Sequence, residues 1–143
     1  MLNAYKFYII AHRLYKYKLV FLSKIVKLFI FVVYNCSIPF ETKIGKGTKF
    51  AYGGISVIIH KRAVIGKNCN IGSNVTIGGR SSFKDVPIIG DNVMVGTGAK
   101  ILGPVKIGDN VKIGANAVVL SDLPSNSIAV GVPAKIIKHE NIN

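Results

Sequence analysis

From residue 59 onward, a large apolar side chain recurs at every sixth position. The series runs through Ile59, Ile65, Ile71, Ile77, Phe83, Ile89, Val95, Ile101, Ile107, Ile113 and Val119. This period matches neither the helical repeat of about 3.6 residues nor the two-residue alternation of a strand. It predicts a parallel β-helix, in which each hexad forms one short strand and one corner, and three hexads close a coil. Because no coil buries its apolar face alone, the coils must stack on one another to be stable.

The other positions of the hexad agree with this interpretation. The residue four places after each aliphatic one is small or apolar, and we expect it to point into the narrow bore as well: Ala63, Cys69, Val75, Val93, Ala99, Val105, Val111 and Ala117. Glycine usually follows the aliphatic residue, and asparagine recurs at the corners. Both residue types tolerate positive φ, so we expect both to permit the tight turns.

Two interruptions of the repeat predict irregular segments. The interval from Phe50 to Ile59 is nine residues and contains Gly53 and Gly54, which indicates a short loop or bulge. Residues 78–87 (GGRSSFKDVP) keep the six-residue count but lose the aliphatic neighbours, so we expect them to leave the wall as a loop. After Val119 we expect a turn, a last strand and a tail. The predicted fold is an all-β parallel β-helix of about four to five coils, preceded by a short helical segment.

The first 40 residues are apolar and basic. They contain Lys6, Arg13, Lys16, Lys18, Lys24 and Lys27, and the first acid of the chain is Glu41. The pattern predicts two helices that break near Tyr17–Lys18 and end before Pro39. The longest uninterrupted apolar run, 28–34, is far shorter than the roughly 20 residues of a membrane span. Two interpretations stay open: a basic helix on an anionic membrane surface, or a cap packed on the first coil or against its copies in an oligomer. No nucleic-acid-binding motif accompanies the net charge of +13, so we expect no nucleic acid partner.

The domain boundaries predicted from these patterns are 1–36 for the helices, 37–138 for the β-helix and 139–143 for a tail. The two cysteines, Cys36 and Cys69, lie far apart, and Cys69 occupies an inward position. We therefore expect buried thiols rather than a disulfide, which favours a reducing cytoplasm. No group of residues has metal-ligand spacing, and we expect no metal.

At this point the chain resembles the hexapeptide-repeat acyltransferases. The motifs are IGKG, VIGKNCNIGSNVTIGG, IIGDNVMVGTGAKILGPVKIGDNVKIGANAVV and GVPAKII, within residues 37–138. They are most similar to the serine acetyltransferase branch, especially its short members, many of which acetylate sugars of surface polysaccharides. The resemblance implies a left-handed β-helix, a homotrimer and acetyl-CoA as co-substrate. The implied reaction is acetyl transfer to a hydroxyl of a surface-polysaccharide sugar or of serine, in the cytoplasm and with peripheral contact to the inner face of the membrane. The alternative is a catalytically weak scaffold or binding subunit.

Acetyl transfer to a hydroxyl needs a general base. His60 is the only histidine in the coil region, and we predict that it is this base, with Asp85 in a supporting role. The alternative is an exposed corner histidine. Aligned from IGKG, the family's base histidine falls on Tyr52, which is the second candidate. The family's orienting aspartate falls on Ser37, and its second active-site histidine on Val86.

The resemblance also implies where the co-substrate binds. Family members lay the pantetheine arm in a groove between subunits, against backbone amides of the last coils. The matching residues are Gly98, Ala99, Ala117, Pro133, Ala134 and Lys135, of which Lys135 is placed to meet a phosphate. For Ala99 and Ala117 a second explanation stays open, because the bore itself requires small side chains.

Overall fold

The computed structural model of the protein describes residues 3–139, and two helices come first. Helix α1 (Ala4–Lys16) and helix α2 (Val20–Tyr34) are separated at Tyr17–Leu19, which confirms the predicted break. Asn3 caps α1 by accepting a hydrogen bond from the Tyr5 N–H, and Lys18 adopts a φ of 62° in the connection. In the described part of the chain, neither helix has the length and apolar composition that a membrane-spanning segment needs.

Fourteen short strands follow in the described residues. They are β1 (Lys43–Ile44), β2 (Lys49–Phe50), β3 (Ile58–Ile59), β4 (Val64–Ile65), β5 (Asn70–Ile71), β6 (Thr76–Gly78), β7 (Ile88–Ile89), β8 (Met94–Val95), β9 (Lys100–Leu102), β10 (Lys106–Ile107), β11 (Lys112–Ile113), β12 (Val118–Val119), β13 (Ser127–Val130) and β14 (Lys135–His139). The first sheet is β1-β4-β7-β10, the second is β2-β5-β8-β11-β13-β14, and the third is β3-β6-β9-β12. One strand of each sheet makes a coil, so the molecule is a left-handed parallel β-helix of four complete coils, as predicted.

The core of the β-helix is the six-residue series. Every member is buried except Phe83, and the small residues four places later are buried as well. The inward placement predicted for Phe83 is wrong, since its side chain is 49% exposed beneath the Arg80 guanidinium. The corner that joins Ile59 to Ile65 takes six residues, whereas the same corner one coil later joins Ile77 to Ile89 and takes twelve. An insertion of one hexad's length keeps the six-residue count while forming the predicted loop.

The corner asparagines adopt left-handed backbone, with φ of 53–58° at Asn68, Asn74, Asn92, Asn110 and Asn116. The glycines that follow the aliphatic residues do not, so the expectation of positive φ is wrong for them. Glycine is needed at these positions because neighbouring coils approach one another closely. A Cβ atom placed on Gly96 would lie 2.5 Å from the backbone nitrogen of Ala115 in the next coil. Asparagine therefore supplies the turn and glycine supplies the stacking distance.

Helix α1 caps the open end of the first coil. The Tyr5 hydroxyl donates to the Gly45 carbonyl at 2.9 Å, the Tyr8 hydroxyl donates to the Thr42 carbonyl, and His12 Nδ1 lies 2.7 Å from the Phe40 carbonyl oxygen. Helix α2 packs on the other side of α1, where the Phe7 and Phe29 rings meet at 4.9 Å. The cap interpretation thus holds for α1, while α2 forms an outer layer.

The last strands close the C-terminal end of the β-helix, and the sequence predicted only part of this arrangement. Leu123 makes a parallel bridge to Ile107, and β13 adds to the second sheet in parallel. Strand β14 then pairs with β13 in the antiparallel direction, where the sequence predicted one last strand and a tail. Beyond His139, the predicted tail lies outside the described residues. Cys36 and Cys69 are buried free thiols, as predicted.

Candidate functional site

The predicted site residues lie along the two edges of the third sheet. One edge, here called the His60 edge, comprises the corners that lead from the third sheet to the first: residues 60–63, the loop 79–87, and 103–105. The other, here called the Gly98 edge, comprises the corners from the second sheet to the third: residues 51–57, 72–75, 96–99 and 114–117. Four residue steps of extended chain, about 13 Å, separate Gly98 from Leu102, the last residue of β9 before the opposite corner.

His60 stands at the first corner of its edge, directly after β3, and its ring is half-buried. Its Nδ1 atom accepts a 3.1 Å hydrogen bond from the backbone N–H of Arg62. A neutral imidazole that accepts at Nδ1 carries its proton on Nε2. In this arrangement the ring supports the corner, and Nδ1 must first give up its bond to the Arg62 amide before it can take a proton.

Asp85 lies in the loop at the same edge, one coil further along. The Arg62 guanidinium donates to the Lys84 carbonyl and so holds the loop against the hexad of His60. Arg62, Asp85, Val86 and Lys106 border a hollow of about 280 Å³. His60 is not among the residues that line this hollow, so Arg62 is the residue that connects the corner of His60 with the loop of Asp85. Sequence analysis did not single out Arg62, although its position two residues after His60 places it at that corner.

Tyr52 lies at the first corner of the opposite edge. It belongs to a short 3-10 segment, Ala51–Gly54, which accounts for the predicted irregularity between Phe50 and Ile59. Its backbone is left-handed, with φ 52° and ψ 34°, and its side chain is 68% exposed. Left-handed backbone costs a residue with a side chain roughly 1–2 kcal/mol. An exposed aromatic residue in a strained turn contributes nothing to the core, which makes Tyr52 a candidate for function.

The residues predicted to hold the co-substrate follow the Gly98 edge towards the C-terminal end. Gly98 has φ 77° and donates its N–H to the Ser73 carbonyl at 2.9 Å. The side chains of Ala99 and Ala117 are completely buried in the bore, as the narrow-bore explanation requires. Their amides donate to Gly96 and Gly114 within their own corners at 3.2 and 3.3 Å. A ligand at this edge would thus meet the exposed outer side of these corners rather than the alanine methyl groups.

The GVPAKI segment completes the same edge. The Ala134 N–H donates to the Val118 carbonyl at 2.8 Å, and the Val118 N–H donates to the Gly131 carbonyl at 3.0 Å. These bonds place Pro133 and Lys135, both exposed, beyond the last strand of the third sheet. The predicted co-substrate residues therefore form one continuous line in the structure.

A trough of about 300 Å³ runs beside the Gly98 edge on the outer face of the second sheet. Gly72, Gly96 and Gly114 lie on successive coils of its floor, and Met94 and Thr97 lie on its sides. These glycines line the trough with backbone, and a Cβ atom on any of them would meet the next coil. Tyr52 lies at the first-coil end of this edge, whereas His60 lies across the third sheet from it.

Within residues 3–139, no group of three or more His, Cys, Asp or Glu side chains is placed to hold a metal ion.

Comparisons with known proteins agree with the geometry. The family described as "Bacterial transferase hexapeptide (six repeats)" matches residues 87–121, and "Hexapeptide repeat of succinyl-transferase" matches residues 62–79. A serine acetyltransferase of Helicobacter pylori (strain J99) is 41% identical over 132 residues, which cover 91% of this chain and 77% of that protein.

Solved structures give the same result. A serine acetyltransferase in complex with CoA superposes with a TM-score of 0.84 at 35% identity and 94% coverage of this chain. A serine acetyltransferase of Neisseria gonorrhoeae in complex with serine gives a TM-score of 0.85 at 37% identity and 92% coverage. The chain spans about 55% of the length of these structures.

Proposed function

The chain belongs to the serine acetyltransferase family, and from this premise we propose that it transfers an acetyl group from acetyl-CoA to a hydroxyl group. The proposal is supported by the relatives on both sides of the reaction, since one solved structure contains CoA and another contains serine. In such a step the acceptor oxygen attacks the thioester carbonyl carbon and loses its proton to a base. The CoA sulfur then leaves and takes up a proton.

Serine is the first acceptor we propose, because the relatives and solved structures that match this chain carry its name. A hydroxyl of a surface-polysaccharide sugar is the second. By the resemblance, the family's two histidine positions fall on Tyr52 and Val86 here, and this departure is the reason to keep a second acceptor. Both acceptors present the same nucleophile to the same thioester. Parallel assays with acetyl-CoA and either free serine or a panel of sugar glycosides distinguish them.

We assign the acetyl-CoA contacts to the Gly98 edge and its trough. Gly98, Ala99 and Ala117 would contribute the backbone of the corners, and Pro133 and Ala134 the end of the line. Lys135 would meet a phosphate of CoA, as an exposed ammonium group can. The continuous line of small residues beside a floor of glycines is the feature that carries this assignment.

His60 is the general base we propose, with Asp85 supporting it from the loop at the same edge. Releasing the bond from the Arg62 amide frees Nδ1, and one partly exposed hydrogen bond costs only about 1 kcal/mol. Tyr52 stays the second candidate, because it already lies on the edge that holds the co-substrate residues. His60 lies across the third sheet from that edge, so we further propose a homotrimer in which the His60 edge of one subunit faces the Gly98 edge of the next.

The test is a comparison of three variants. We expect His60→Ala to lower kcat by about 10²–10⁴-fold, the usual loss for a positioned base, while the affinity for acetyl-CoA changes little. His60→Asn is the matched control for the corner, since its side-chain oxygen can still accept from the Arg62 N–H. It should lose as much activity as His60→Ala.

If His60→Asn keeps its activity while His60→Ala loses it, His60 serves only to support the corner. Loss in Tyr52→Phe, with turnover retained in both His60 variants, would make Tyr52 the essential residue. If the unmodified chain and all three variants acetylate none of the acceptors, the protein is a scaffold.

The buried free thiols of Cys36 and Cys69 support a reducing compartment. We propose that this compartment is the cytoplasm.

A further inference from the structure

Helix α2 presents an apolar surface that the rest of the described chain leaves uncovered. Its inner side, with Ser23, Ile30 and Tyr34, is buried. On the opposite side Phe21, Leu28 and Val32 are 75%, 62% and 73% exposed, and Ile25 lies between them. Here α2 shows the solvent a continuous apolar face. Exposed apolar patches of this kind mark surfaces that bind a partner or a membrane.

The charges around this face have a single sign. Lys24 is exposed beside the apolar face, and Lys27, one turn further on, is half-buried towards the inner side of α2. Lys6, Arg13 and Lys16 are exposed on neighbouring α1. Residues 1–40 contain no Asp or Glu. A second copy docked through the same face would bring lysines towards lysines without an acid from either helix. An anionic surface would instead meet complementary charge over the whole hairpin.

The length of α2 defines how it can meet a bilayer. Its 15 residues span about 22 Å, less than the hydrocarbon core of about 30 Å, so it can lie along a bilayer but cannot cross it. Helix α1 is fastened to the first coil through Tyr5, Tyr8 and His12, so the outer face of α2 points away from the β-helix. An apolar face flanked by lysines is the arrangement of helices that rest in the headgroup region.

We propose that the outer face of α2 docks the protein on an anionic membrane surface. Phe21, Ile25, Leu28 and Val32 enter the boundary between headgroups and acyl chains. Lys24 and Lys27 extend along the helix to reach lipid phosphates. The basic side of α1 adds long-range attraction, which salt screens. Docking in this way does not depend on the acetyl transfer proposed above, because no residue of either edge takes part in it.

The experiment is co-sedimentation of the full chain with lipid vesicles. At low salt we expect the protein to bind vesicles of phosphatidylcholine with about 30% phosphatidylglycerol, to bind pure phosphatidylcholine at least about tenfold more weakly, and to be released by about 0.5 M salt. Phe21→Ser/Leu28→Ser/Val32→Ser should weaken binding to the anionic vesicles by at least tenfold. The control Ile58→Ser/Ile137→Ser, which removes exposed apolar side chains from the β-helix, should bind like the unmodified chain.

The charges are tested in the same assay. Lys24→Glu/Lys27→Glu should weaken binding, whereas Lys46→Glu/Lys67→Glu, with the same change in net charge but outside the helices, should not. Absence of binding to anionic vesicles at low salt would overturn the proposal. So would equal losses in the two lysine pairs, which would indicate attraction by net charge alone. Loss of assembly mass by light scattering in the serine variant, with vesicle binding unchanged, would make the face a contact between copies. Acetyl transfer to soluble acceptors, assayed without vesicles, tests the proposed function separately.

Discussion

At the scale of single residues, the stacking distance of the β-helix depends on glycine. A Cβ atom on Gly96 would lie 2.5 Å from the Ala115 nitrogen and 2.7 Å from the Gly114 carbonyl carbon, both backbone atoms of the next coil. Backbone held in a stacked corner cannot move aside as the end of a flexible side chain can. The glycines of the hexads are therefore required for the close packing of the coils. Substitution by alanine, which adds one methyl group, tests this role.

Gly96→Ala should destabilise the protein by about 1–3 kcal/mol, the usual cost of overpacking a well-packed interior. The matched control is Gly79→Ala in the loop, where the nearest atom to an added Cβ is 3.9 Å away. We expect the control to change the free energy of unfolding by less than about 0.5 kcal/mol. Urea unfolding measures both, and equal midpoints for the two variants would contradict the packing role.

Single positions also show what the sequence predicts well and what it does not. The inward residues follow from counting in sixes, because each coil repeats the same geometry. Phe83 keeps the count but is exposed, because an inserted loop of one hexad's length leaves the six-residue period unchanged. The nine-residue interval from Phe50 to Ile59 predicted a loop or bulge, but the left-handed backbone of Tyr52 within it required coordinates. The ring of His60 was predicted to lie at a corner, but its bond to the Arg62 amide required coordinates.

At the scale of elements, strands β2 to β12 each contribute one buried side chain to the bore. Ile101 of β9 is 0% exposed, while Ile88 of β7 is 48% exposed on the outer face of the first sheet. Ile101→Asp places an unpaired carboxylate in the core, at a cost of several kcal/mol, and should prevent folding. Ile88→Asp makes the same chemical change at the surface and should leave a folded protein. Circular dichroism and solubility compare them, and a folded Ile101→Asp would refute the inward placement of the series.

The cap formed by α1 carries a dependence on alkaline pH. Burial raises the pKa of the Tyr8 hydroxyl to about 12, with a smaller contribution from neighbouring Tyr5. The unfolded chain loses this proton near pH 10, whereas the folded chain keeps it until about pH 12. The stabilisation is therefore complete below about pH 10 and is lost as the pH rises towards 12, at up to about 1.4 kcal/mol per pH unit.

Tyr8→Phe should remove this contribution. At neutral pH the variant loses about 1 kcal/mol with its hydrogen bond to Thr42. Above pH 10 its free energy of unfolding should decline less steeply than that of the unmodified chain. Tyr17→Phe, at a tyrosine that is 78% exposed, is the control and should follow the unmodified chain. Parallel slopes for Tyr8→Phe and the unmodified chain in urea titrations between about pH 9 and pH 11 would show that the α1 cap does not hold Tyr8 protonated.

At the scale of the whole molecule, the two edges of the third sheet lie on opposite sides of a coil. The repeat predicts that corners align in columns, and the structure agrees. The repeat within one chain does not predict which column of corners in one subunit contacts which column in another. That contact depends on the shape of the complete surfaces. The structure places His60 on one edge and the residues proposed to hold acetyl-CoA on the other, and this placement makes the proposed shared site testable.

A homotrimer would have three times the chain mass by light scattering, with three equivalent sites between subunits. Two inactive variants test whether each site takes one edge from each neighbour. His60→Ala damages the His60 edge only. Thr97→Trp fills the trough beside Gly98 and damages the other edge only, which loss of acetyl-CoA binding confirms. Each variant alone should form folded, inactive trimers.

Co-expression of the two variants in equal amounts should restore activity. A site is intact when the Thr97→Trp chain supplies His60 and the His60→Ala chain supplies the trough, which in random trimers occurs at about a quarter of the sites. Purification through a different tag on each variant isolates the mixed trimers. Mixed trimers without activity would place both edges of a site in one chain, and a monomer that acetylates its acceptor would exclude the shared site altogether. In the purified mixed trimers one site in three is intact, so restoration to about a third of the unmodified rate is the result expected if His60 of one subunit acts on acetyl-CoA held by the next.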